Sequence, residues 1–428
     1  MLRDRVIIPY IDITSSKVTM QSAIVASRAS TVLVHNASSP RPCAARMTRS
    51  SVSAAARAAF GASKVSKVAS APAVSASKRQ VVAMAGPNEY EMQTLTTWLL
   101  REEANGNIDN ELATVISSIG VACKQIGSLV NRAGISNLTG LAGEQNVQGE
   151  DQKKLDVISN EVFCNCLRSS GRTGVIASEE EDLPVAVEET FSGEYVVVFD
   201  PLDGSSNIDA GISVGSIFGI YAPSEECSIE DMDDPETMMN KCVTNVCKPG
   251  RDLLVSGYVL YSSSTVMVLT IGDGVYGFTL DPLVGEYVLS HPNIKVPETG
   301  KIYSFNEGNY EGWTPQLKAY MDSLKEADKW GGKPYSARYI GSLVGDFHRT
   351  LLYGGIYGYP GDDRNPNGKL RLLYECAPMS MLAEQAGGLG STGFERVLDI
   401  MPEQVHQRVP LFVGSKKEVE YLESMLKQ

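Results

Sequence analysis

The sequence predicts a mixed α/β fold in which sheets are layered with helices. Some stretches repeat apolar residues at helical spacing, and others are short β-branched runs bounded by glycine. The two kinds interleave along 428 residues without a strict βαβ repeat. A chain of this length is enough for two ordinary domains.

Several segments carry the helical pattern. In residues 111–133 apolar side chains recur every three or four positions, and Gly134 can end the helix. The same reasoning predicts helices at 151–170, 314–330 and 378–386.

The predicted strands are short apolar runs, many of which end at glycine-rich turns. They lie at 193–200, 212–221, 253–260, 265–271, 275–281, 286–290 and 369–375. The four between 253 and 290 are predicted to form a meander. Residues 335–359 are predicted to mix a strand with a helix.

The N-terminal segment has the composition of an organelle transit peptide. Residues 13–88 contain ten Lys and Arg and no Asp or Glu, and they are rich in Ala and Ser. We therefore predict a disordered transit peptide over residues 1–88, with Met20 as an alternative start. The net charge of −13 argues against nucleic acid as a partner. No apolar run reaches the roughly 20 residues of a membrane span, so no membrane partner is expected.

The sequence Asp-Pro-Leu-Asp-Gly-Ser-Ser-Asn at 200–207 is the most informative motif. The apolar run 195–199 predicts a buried strand, which Pro201 and Gly204 should end. Asp200 and Asp203 would then lie at a strand terminus. Carboxylates bind hard cations and clustered N–H groups bind phosphate, so the motif predicts a metal ion beside the phosphate it activates. An ordinary Asp-rich turn is the alternative.

Other acidic clusters stand near predicted helix or strand ends, at 149–156, 178–182 and Glu375. One such cluster alone is usually a solvated surface. Several together fit a phosphatase that uses hard metals, because such an enzyme needs many oxygen ligands and a carboxylate that activates water.

The motif at 200–207 resembles the metal motif of the inositol-phosphatase and fructose-bisphosphatase superfamily. Five further segments narrow the resemblance to the fructose-1,6-bisphosphatase family: 149–156, 178–180, 306–308, 337–342 and 368–376. The resemblance covers essentially all of residues 90–428. It implies a layered αβαβα sandwich with an N-terminal metal and catalytic domain at 89–293. The C-terminal domain at 294–428 would bind the sugar phosphate.

The resemblance also implies a metal-dependent catalytic site. The implied cofactor is Mg²⁺, two or three ions per subunit, with Mn²⁺ as a substitute. The implied metal ligands are Glu179, Glu180, Asp200, Leu202 through its carbonyl, Asp203 and Glu375. The residues implied to activate water and to place the catalytic loop are Asp156, Glu180 and Glu150.

The implied reaction is hydrolysis of the 1-phosphate of fructose 1,6-bisphosphate to fructose 6-phosphate and phosphate. The Calvin cycle and starch synthesis are its implied setting, in the chloroplast stroma of a plant or green alga. The implied contacts to the 1-phosphate are Gly204, Ser205, Ser206 and Arg371. Those to the sugar and the 6-phosphate are Asn306, Arg338, Tyr339, Tyr359 and Lys369, and whether Asn309 or Tyr310 also contacts this phosphate stays open. The arginine would reach in from a neighbouring subunit, and the family forms tetramers.

Residues 222–250 form a polar, acidic segment that we predict to be a long surface loop. It contains Cys227, Cys242 and Cys247, and none of the eight cysteines lies in a Cys-x-x-Cys pair, so a zinc site is not expected. The resemblance implies a redox switch in which a disulfide inactivates the enzyme and thioredoxin reactivates it. Cys227–Cys242 is the preferred pair, and Cys227–Cys247 is the alternative.

Three other functions compete with this interpretation. Sedoheptulose-1,7-bisphosphatase is the nearest, and the sugar-site motifs and the position of the cysteine segment favour the fructose ester over it. An inositol monophosphatase would lack the second phosphate site suggested by Arg338 and Tyr339. A non-catalytic sugar-phosphate sensor is the third, and the full set of carboxylates argues against it.

Overall fold

A computed structural model of the chain describes residues 92–145, 151–187, 195–222 and 243–428. The predicted transit peptide lies outside the described residues. The α-helices whose full extent lies in the described part are α1 (Leu95–Ala104), α2 (Asn110–Val130), α3 (Lys154–Ser170), α4 (Pro315–Lys325), α5 (Leu343–Tyr353), α6 (Ala377–Gln385) and α7 (Lys416–Leu426).

The strands of the described part fall into three sheets. In chain order they are β1 (Leu141–Gln145), β2 (Asp151–Lys153), β3 (Thr173–Ser178), β4 (Val185–Ala186), β5 (Tyr195–Asp203), β6 (Val214–Tyr221), β7 (Leu253–Tyr261), β8 (Thr265–Thr270), β9 (Tyr276–Asp281), β10 (Glu286–His291), β11 (Ile302–Ser304), β12 (Ser336–Ala337), β13 (Ile356–Tyr359), β14 (Leu389–Ser391) and β15 (Leu411–Gly414). An eight-stranded sheet has the order β10-β9-β8-β7-β6-β5-β3-β4, and a five-stranded sheet has the order β12-β11-β13-β15-β14. The third sheet is the pair β1-β2.

Both faces of the eight-stranded sheet are buried. Successive side chains of a strand point to opposite faces, so neighbouring residues belong to different cores. In β5, Val197 and Phe199 belong to the core that this sheet shares with α1, α2 and α3. Val196 and Val198 lie between them in sequence and belong to a different core on the other face. A strand that is buried on both sides therefore reads as a continuous apolar run rather than as an alternation.

The five-stranded sheet repeats this arrangement. Tyr357 of β13 lies in a core shared with α5, α6 and the eight-stranded sheet. Its neighbour Ile356 lies in the core shared with α4 and α7. The layers therefore run helix, sheet, helix, sheet, helix, and the predicted layered αβαβα class is confirmed.

Helix α2 is long and apolar enough by length and composition to cross a membrane. Its apolar stripe, which includes Val115, Ile116 and Ile119, is fully buried in the core of the protein. Burial within the fold therefore accounts for the apolar character of this helix.

Three predicted elements differ from the structure. Residues 151–153 form β2 instead of the first turn of a helix, and α3 starts at Lys154. Strand β5 continues past its predicted end at Asp200 to Asp203, directly before Gly204, with an irregular register between Asp200 and Asp203. The strand predicted at 369–375 is wrong.

Of the cysteine segment, the structure describes Ala222 and, at its C-terminal end, residues 243–250. Val246 is fully buried and shares a core with Tyr221, Leu373 and Tyr374. Lys248 anchors the same end, because its ammonium group donates a hydrogen bond to the carbonyl of Ala222 at 3.1 Å. The surface loop predicted at 222–250 is therefore part of the core at this end.

Candidate active site

Two parallel neighbouring strands place four carboxylates at one edge of the large sheet. β3 lies parallel to β5, so the C-terminal ends of both strands meet at the same edge. Glu179 follows β3, and its backbone N–H donates to the carbonyl of Phe199 at 3.2 Å. Glu180 comes next, and β5 supplies Asp200 and Asp203.

Glu375 comes from the other half of the chain. Leu372–Cys376 is a single π-helical turn that leads directly into α6. The wide turn lets the backbone N–H of Arg371 donate to Glu375 Oε2 at 2.6 Å. Short π-helical segments of this kind are frequent at functional sites. The prediction of a strand at 369–375 is wrong because a short apolar run is equally compatible with a fully buried strand and with a buried helical turn.

One carboxylate oxygen each from Asp200, Asp203 and Glu375 lies within 4.8 Å of the other two. All three residues are buried. Arg371 supplies a buried positive charge beside them, with its guanidinium 2.8 Å from Glu179 Oε1. The carboxylate donors are all hard oxygens, which hard divalent cations prefer as ligands.

These groups surround a cavity of about 290 Å³. Its lining residues are Gln152, Lys153, Asp156, Glu179, Glu180, Asp200, Leu202, Asp203, Gly204, Ser205, Ser206, Arg371 and Glu375. The predicted metal ligands, Asp156 and the predicted 1-phosphate contacts thus meet in one place. Three larger cavities elsewhere on the described surface contain none of them.

Crowding and burial oppose ionisation of the central carboxylates. Burial, together with the nearby charges of Glu179 and Asp203, raises the pKa of Asp200 well above its usual range. Burial raises the pKa of Glu375 in the same direction against the lowering effect of Arg371. Burial also raises the pKa of Asp203 to about 6. A bound cation would offset this cost, because it stabilises the charged form of each carboxylate.

Asp156 lies in the first turn of α3 at the rim of the carboxylate cluster. Its Oδ2 accepts a hydrogen bond from the backbone N–H of Lys153 at 2.8 Å, while the buried Oδ1 has no hydrogen-bond partner among the described residues. Burial raises the pKa of Asp156 to about 7, and the neighbouring Glu180 carboxylate adds to the rise.

Gln152 and Lys153 are cavity residues that the sequence reasoning did not single out. The side-chain amide of Gln152 donates to Glu180 Oε2, and the ammonium group of Lys153 forms a 2.7 Å ion pair with Asp209. Both residues belong to the 149–156 motif, so this motif could have identified them as site residues.

The predicted sugar and 6-phosphate residues lie outside this cavity. Arg338 is exposed and donates to the carbonyl of Ala337 at 2.8 Å, and Lys369 is also exposed. Burial raises the pKa of Tyr339 to about 12, and the nearby hydroxyl of Tyr359 contributes. The tyrosines are therefore neighbours, whereas Arg338 and Lys369 extend into solvent.

Asn306 caps the turn that follows β11. Its side-chain oxygen accepts a hydrogen bond from the backbone N–H of Gly308 at 3.2 Å. Tyr310 in the same turn donates from its hydroxyl to Asp322 at 2.8 Å and packs against Trp313.

Helix α5 connects the carboxylate cluster to the segment that carries Tyr339. Asp203 Oδ2 accepts hydrogen bonds from the hydroxyl of Ser342 and the backbone N–H of Val344 at the start of this helix. Within α5, Asp346 accepts from the backbone N–H groups of Ile340 and Gly341 at 2.9 to 3.1 Å. Neither Ser342 nor Asp346 could be assigned this role from spacing alone.

Four of the predicted residues lie in or beside the stretches of chain that the structure does not describe. Glu150, Cys227 and Cys242 lie outside the described residues. Cys247 is half-buried with a free thiol.

Comparison with known proteins gives matches over nearly all of the described chain. The family description "Fructose-1-6-bisphosphatase, N-terminal domain" matches residues 93–292, and its C-terminal counterpart matches residues 296–427. The wheat protein named "Fructose-1,6-bisphosphatase, chloroplastic" is 67% identical over 358 residues, which are 84% of this chain and 86% of the relative. The Arabidopsis thaliana protein "Fructose-1,6-bisphosphatase 1, chloroplastic" is 68% identical over 340 residues, 79% of this chain and 81% of the relative.

Solved structures agree with these matches. The holo form of Leishmania major fructose-1,6-bisphosphatase superimposes with a TM-score of 0.73 at 42% identity, and it covers 79% of this chain and 100% of that chain. The family predicted from the motifs is confirmed, and so is the prediction of an enzyme of this class. On the shared motifs, the shared fold and these identities, the chain belongs to the fructose-1,6-bisphosphatase family.

Proposed function

We propose that this protein hydrolyses the 1-phosphate of fructose 1,6-bisphosphate in a Mg²⁺-dependent reaction. The observation that carries the proposal is the buried cluster of Asp200, Asp203 and Glu375 at a cavity of about 290 Å³. Buried carboxylates that face one another are costly without a cation, and their hard oxygens suit Mg²⁺. The names of the wheat and Leishmania major proteins support the same substrate.

The proposed metal ligands are Glu179, Glu180, Asp200, the carbonyl of Leu202, Asp203 and Glu375, which all line the cavity. Bound divalent cations would supply charge neutralisation for the transferring phosphate and a lower pKa for a bound water. Mn²⁺ offers the same charge with a similar preference for oxygen ligands and is the proposed substitute.

Asp156 is the proposed proton acceptor for the attacking water. Its raised pKa of about 7 suits this role, because a general base is most effective when its pKa is near the working pH. Because Oδ2 is held by the backbone N–H of Lys153, the proposed acceptor is the buried Oδ1 oxygen, which has no hydrogen-bond partner among the described residues. Glu180 shares the task of orienting this water, and Gln152 fixes its carboxylate. Glu150 is proposed for the same group from the family motif.

The 1-phosphate is proposed to lie against Gly204, Ser205, Ser206 and Arg371. Gly204 has a φ of +74°, which only glycine adopts without strain, and the three residues Gly204 to Ser206 line the cavity. Successive backbone N–H groups in a turn of this kind can bind an anion. Arg371, which also lines the cavity, adds a buried positive charge.

The sugar and 6-phosphate are proposed to bind beyond Asp203, where Asn306, Arg338, Tyr339, Tyr359 and Lys369 provide polar groups. Binding of a remote phosphate positions the reacting one. The exposure of Arg338 is what a residue that reaches into a neighbouring subunit would show in a single chain. We therefore extend the proposal to a homotetramer.

The decisive experiment measures phosphate release by residues 86–428, reduced with dithiothreitol, with Mg²⁺ present. Fructose 1,6-bisphosphate, sedoheptulose 1,7-bisphosphate and inositol 1-phosphate are compared at equal concentration. We expect turnover on the fructose ester to exceed that on the other two by at least about tenfold. A preference for sedoheptulose 1,7-bisphosphate would overturn the substrate assignment, and binding of the sugar phosphates without phosphate release would favour a sensor.

The protein is also proposed to act in the chloroplast stroma, in the Calvin cycle and starch synthesis, under redox control by thioredoxin. The acid-free basic segment at 13–88 and the chloroplastic names of the plant relatives support this location. The C-terminal end of the cysteine segment includes Val246, which shares a core with Leu373 and Tyr374 next to Glu375. A disulfide that pulls on this segment would therefore act close to the carboxylate cluster.

Oxidation is expected to lower activity at limiting Mg²⁺ by at least about tenfold, and reduction by thioredoxin should restore it. Replacement of Cys227 by Ser removes either proposed disulfide and should leave the enzyme active in both conditions. Cys166→Ser is the control, because this half-buried thiol lies on α3 away from the segment. Equal activity of oxidised and reduced wild-type protein across the Mg²⁺ range would rule out the switch.

A further inference from the structure

His406 joins two of the chain segments that carry carboxylates of the candidate active site. Its Nδ1 lies 2.7 Å from the hydroxyl of Tyr374, which directly precedes Glu375. Its Nε2 lies 3.0 Å from the carbonyl oxygen of Glu181 and 3.3 Å from that of Asp182. Glu181 directly follows Glu179–Glu180, so a single side chain spans both segments.

The chemistry of these partners determines the direction of each hydrogen bond. A carbonyl oxygen only accepts, so Nε2 carries the proton and donates to Glu181. The other ring nitrogen of the neutral imidazole is then an acceptor, and the Tyr374 hydroxyl donates to it. Burial lowers the pKa of His406, which favours this neutral form. Both contacts are thereby satisfied by one tautomer.

The chain around His406 supports the π-helical turn from the same side. The backbone N–H of Leu372 donates to the carbonyl of Gln407 at 2.7 Å, and the backbone N–H of Val409 donates to the carbonyl of Leu370 at 3.0 Å. Residues 406–409 therefore run alongside the start of the turn that presents Glu375. His406 extends this contact across to the turn that follows β3.

His406 does not belong to the residues that line the active-site cavity. Its hydrogen bonds therefore reach the carboxylates through the segments that carry them. Residues that hydrogen-bond directly to a metal ligand typically change metal affinity by about 10- to 100-fold when they are replaced, and we expect His406, which lies one contact further out, to have an effect near the lower end of this range.

We propose that His406 is a positioning residue, which fixes the spacing between Glu179–Glu180 and Glu375 and thereby sets the affinity of the site for divalent cations. The inference rests on the proposed metal-dependent function. It adds a residue that lies outside the cavity and far along the chain from every predicted metal ligand except Glu375.

The fold contains a matched pair that serves as a control. The hydroxyl of Tyr258 lies 2.7 Å from Nδ1 of His348, and the two rings are 5.8 Å apart. For Tyr374 and His406 the ring separation is 5.9 Å. Both tyrosines are fully buried. Loss of either hydroxyl should therefore have a similar effect on stability, whereas only one of the pairs adjoins the carboxylates.

The test compares Tyr374→Phe, His406→Ala and His406→Gln with Tyr258→Phe in the reduced, otherwise complete protein. Mn²⁺ binding is measured by electron paramagnetic resonance without substrate, and the Mg²⁺ concentration for half-maximal phosphate release is measured separately. We expect Tyr374→Phe and His406→Ala to weaken Mn²⁺ binding by about tenfold or more. Turnover at saturating Mg²⁺ and the KM for substrate should stay within about twofold.

The glutamine variant provides the rescue arm. A Gln side chain can still donate from its amide to the carbonyl of Glu181, so His406→Gln should recover part of the lost Mn²⁺ affinity. Tyr258→Phe should lower the melting temperature about as much as Tyr374→Phe and leave Mn²⁺ binding unchanged.

Unchanged Mn²⁺ affinity in both Tyr374→Phe and His406→Ala would overturn the inference, as would an equal loss in Tyr258→Phe. Because Mn²⁺ binding is measured without substrate, failure of the proposed function can be distinguished from failure of the proposed role of His406. A wild-type protein that binds Mn²⁺ through this site without releasing phosphate would contradict the function and leave the role of His406 supported.

Discussion

Replacement of Asp203 by Asn will lower phosphate release from fructose 1,6-bisphosphate by at least about a thousandfold at saturating Mg²⁺. The substitution removes one of the three buried charges whose oxygens lie within 4.8 Å of one another. A thousandfold loss corresponds to about 4 kcal/mol of transition-state stabilisation, which is in the range that a metal ion supplies to a transferring phosphoryl group. Initial rates over a Mg²⁺ titration measure the effect.

The variant should remain folded, which makes the loss interpretable. An Asn side chain keeps an oxygen that can accept the hydrogen bonds from Ser342 and Val344. Asp328→Asn, an exposed substitution of the same type, is the control and should leave the rate unchanged. A rate within tenfold of wild type for Asp203→Asn would show that this carboxylate is not an essential ligand.

The metal-free protein is expected to lose stability as the pH rises from about 5 to about 8. Burial raises the pKa of Asp203 to about 6 and that of Asp156 to about 7, whereas an unfolded Asp titrates near 3.9. The folded state therefore binds more protons than the unfolded state in this window. Stability is greatest below the unfolded pKa and is lost as the pH rises through the folded values.

The expected loss is on the order of several kcal/mol, since each unit of pKa difference corresponds to about 1.4 kcal/mol. Mg²⁺ should reverse it, because a bound cation stabilises the ionised carboxylates and binds only the folded site. Melting temperatures measured from pH 5 to pH 8, with a chelator and with Mg²⁺, test both statements. The stabilisation by Mg²⁺ should be much larger at pH 8 than at pH 5.

Asp203→Asn again supplies the internal comparison. Without this buried carboxylate, the metal-free melting temperature should depend less on pH and should exceed that of the wild type at pH 8. If the metal-free wild type instead becomes more stable between pH 5 and pH 8, the central carboxylates do not carry the raised pKa values on which the metal proposal depends.

Elements that are specified by neighbouring residues were predicted better than elements that are stabilised by distant parts of the chain. The meander from β7 to β10 was predicted nearly to the residue, because hairpin strands and their turns are specified by neighbouring residues. Helix α7 was not predicted, although its Val419 and Leu422 are fully buried. Its apolar stripe is narrow, and its core is completed by α4 and the five-stranded sheet.

The residues of the candidate site also differ in how far the sequence alone predicts their positions. Asp200 and Asp203 stand in one motif, so their proximity could be read directly from the chain. Glu375 was assigned through resemblance, while its local structure was predicted wrongly as part of a strand. No sequence pattern indicated a role for His406, because an isolated histidine is usually a packed core residue.

The sequence by itself determined the oxygen chemistry of the site, the helical and strand segments close to it in the chain, and the family to which the chain belongs. Only the tertiary structure decided that Glu375 meets Asp200 and Asp203, that Leu372–Cys376 is a π-helical turn and that His406 spans two carboxylate segments. The physical reason is the range of the interactions. Periodicity and turn chemistry act over a few residues, whereas these contacts join segments that only the packing of two sheets through a shared helical layer brings together.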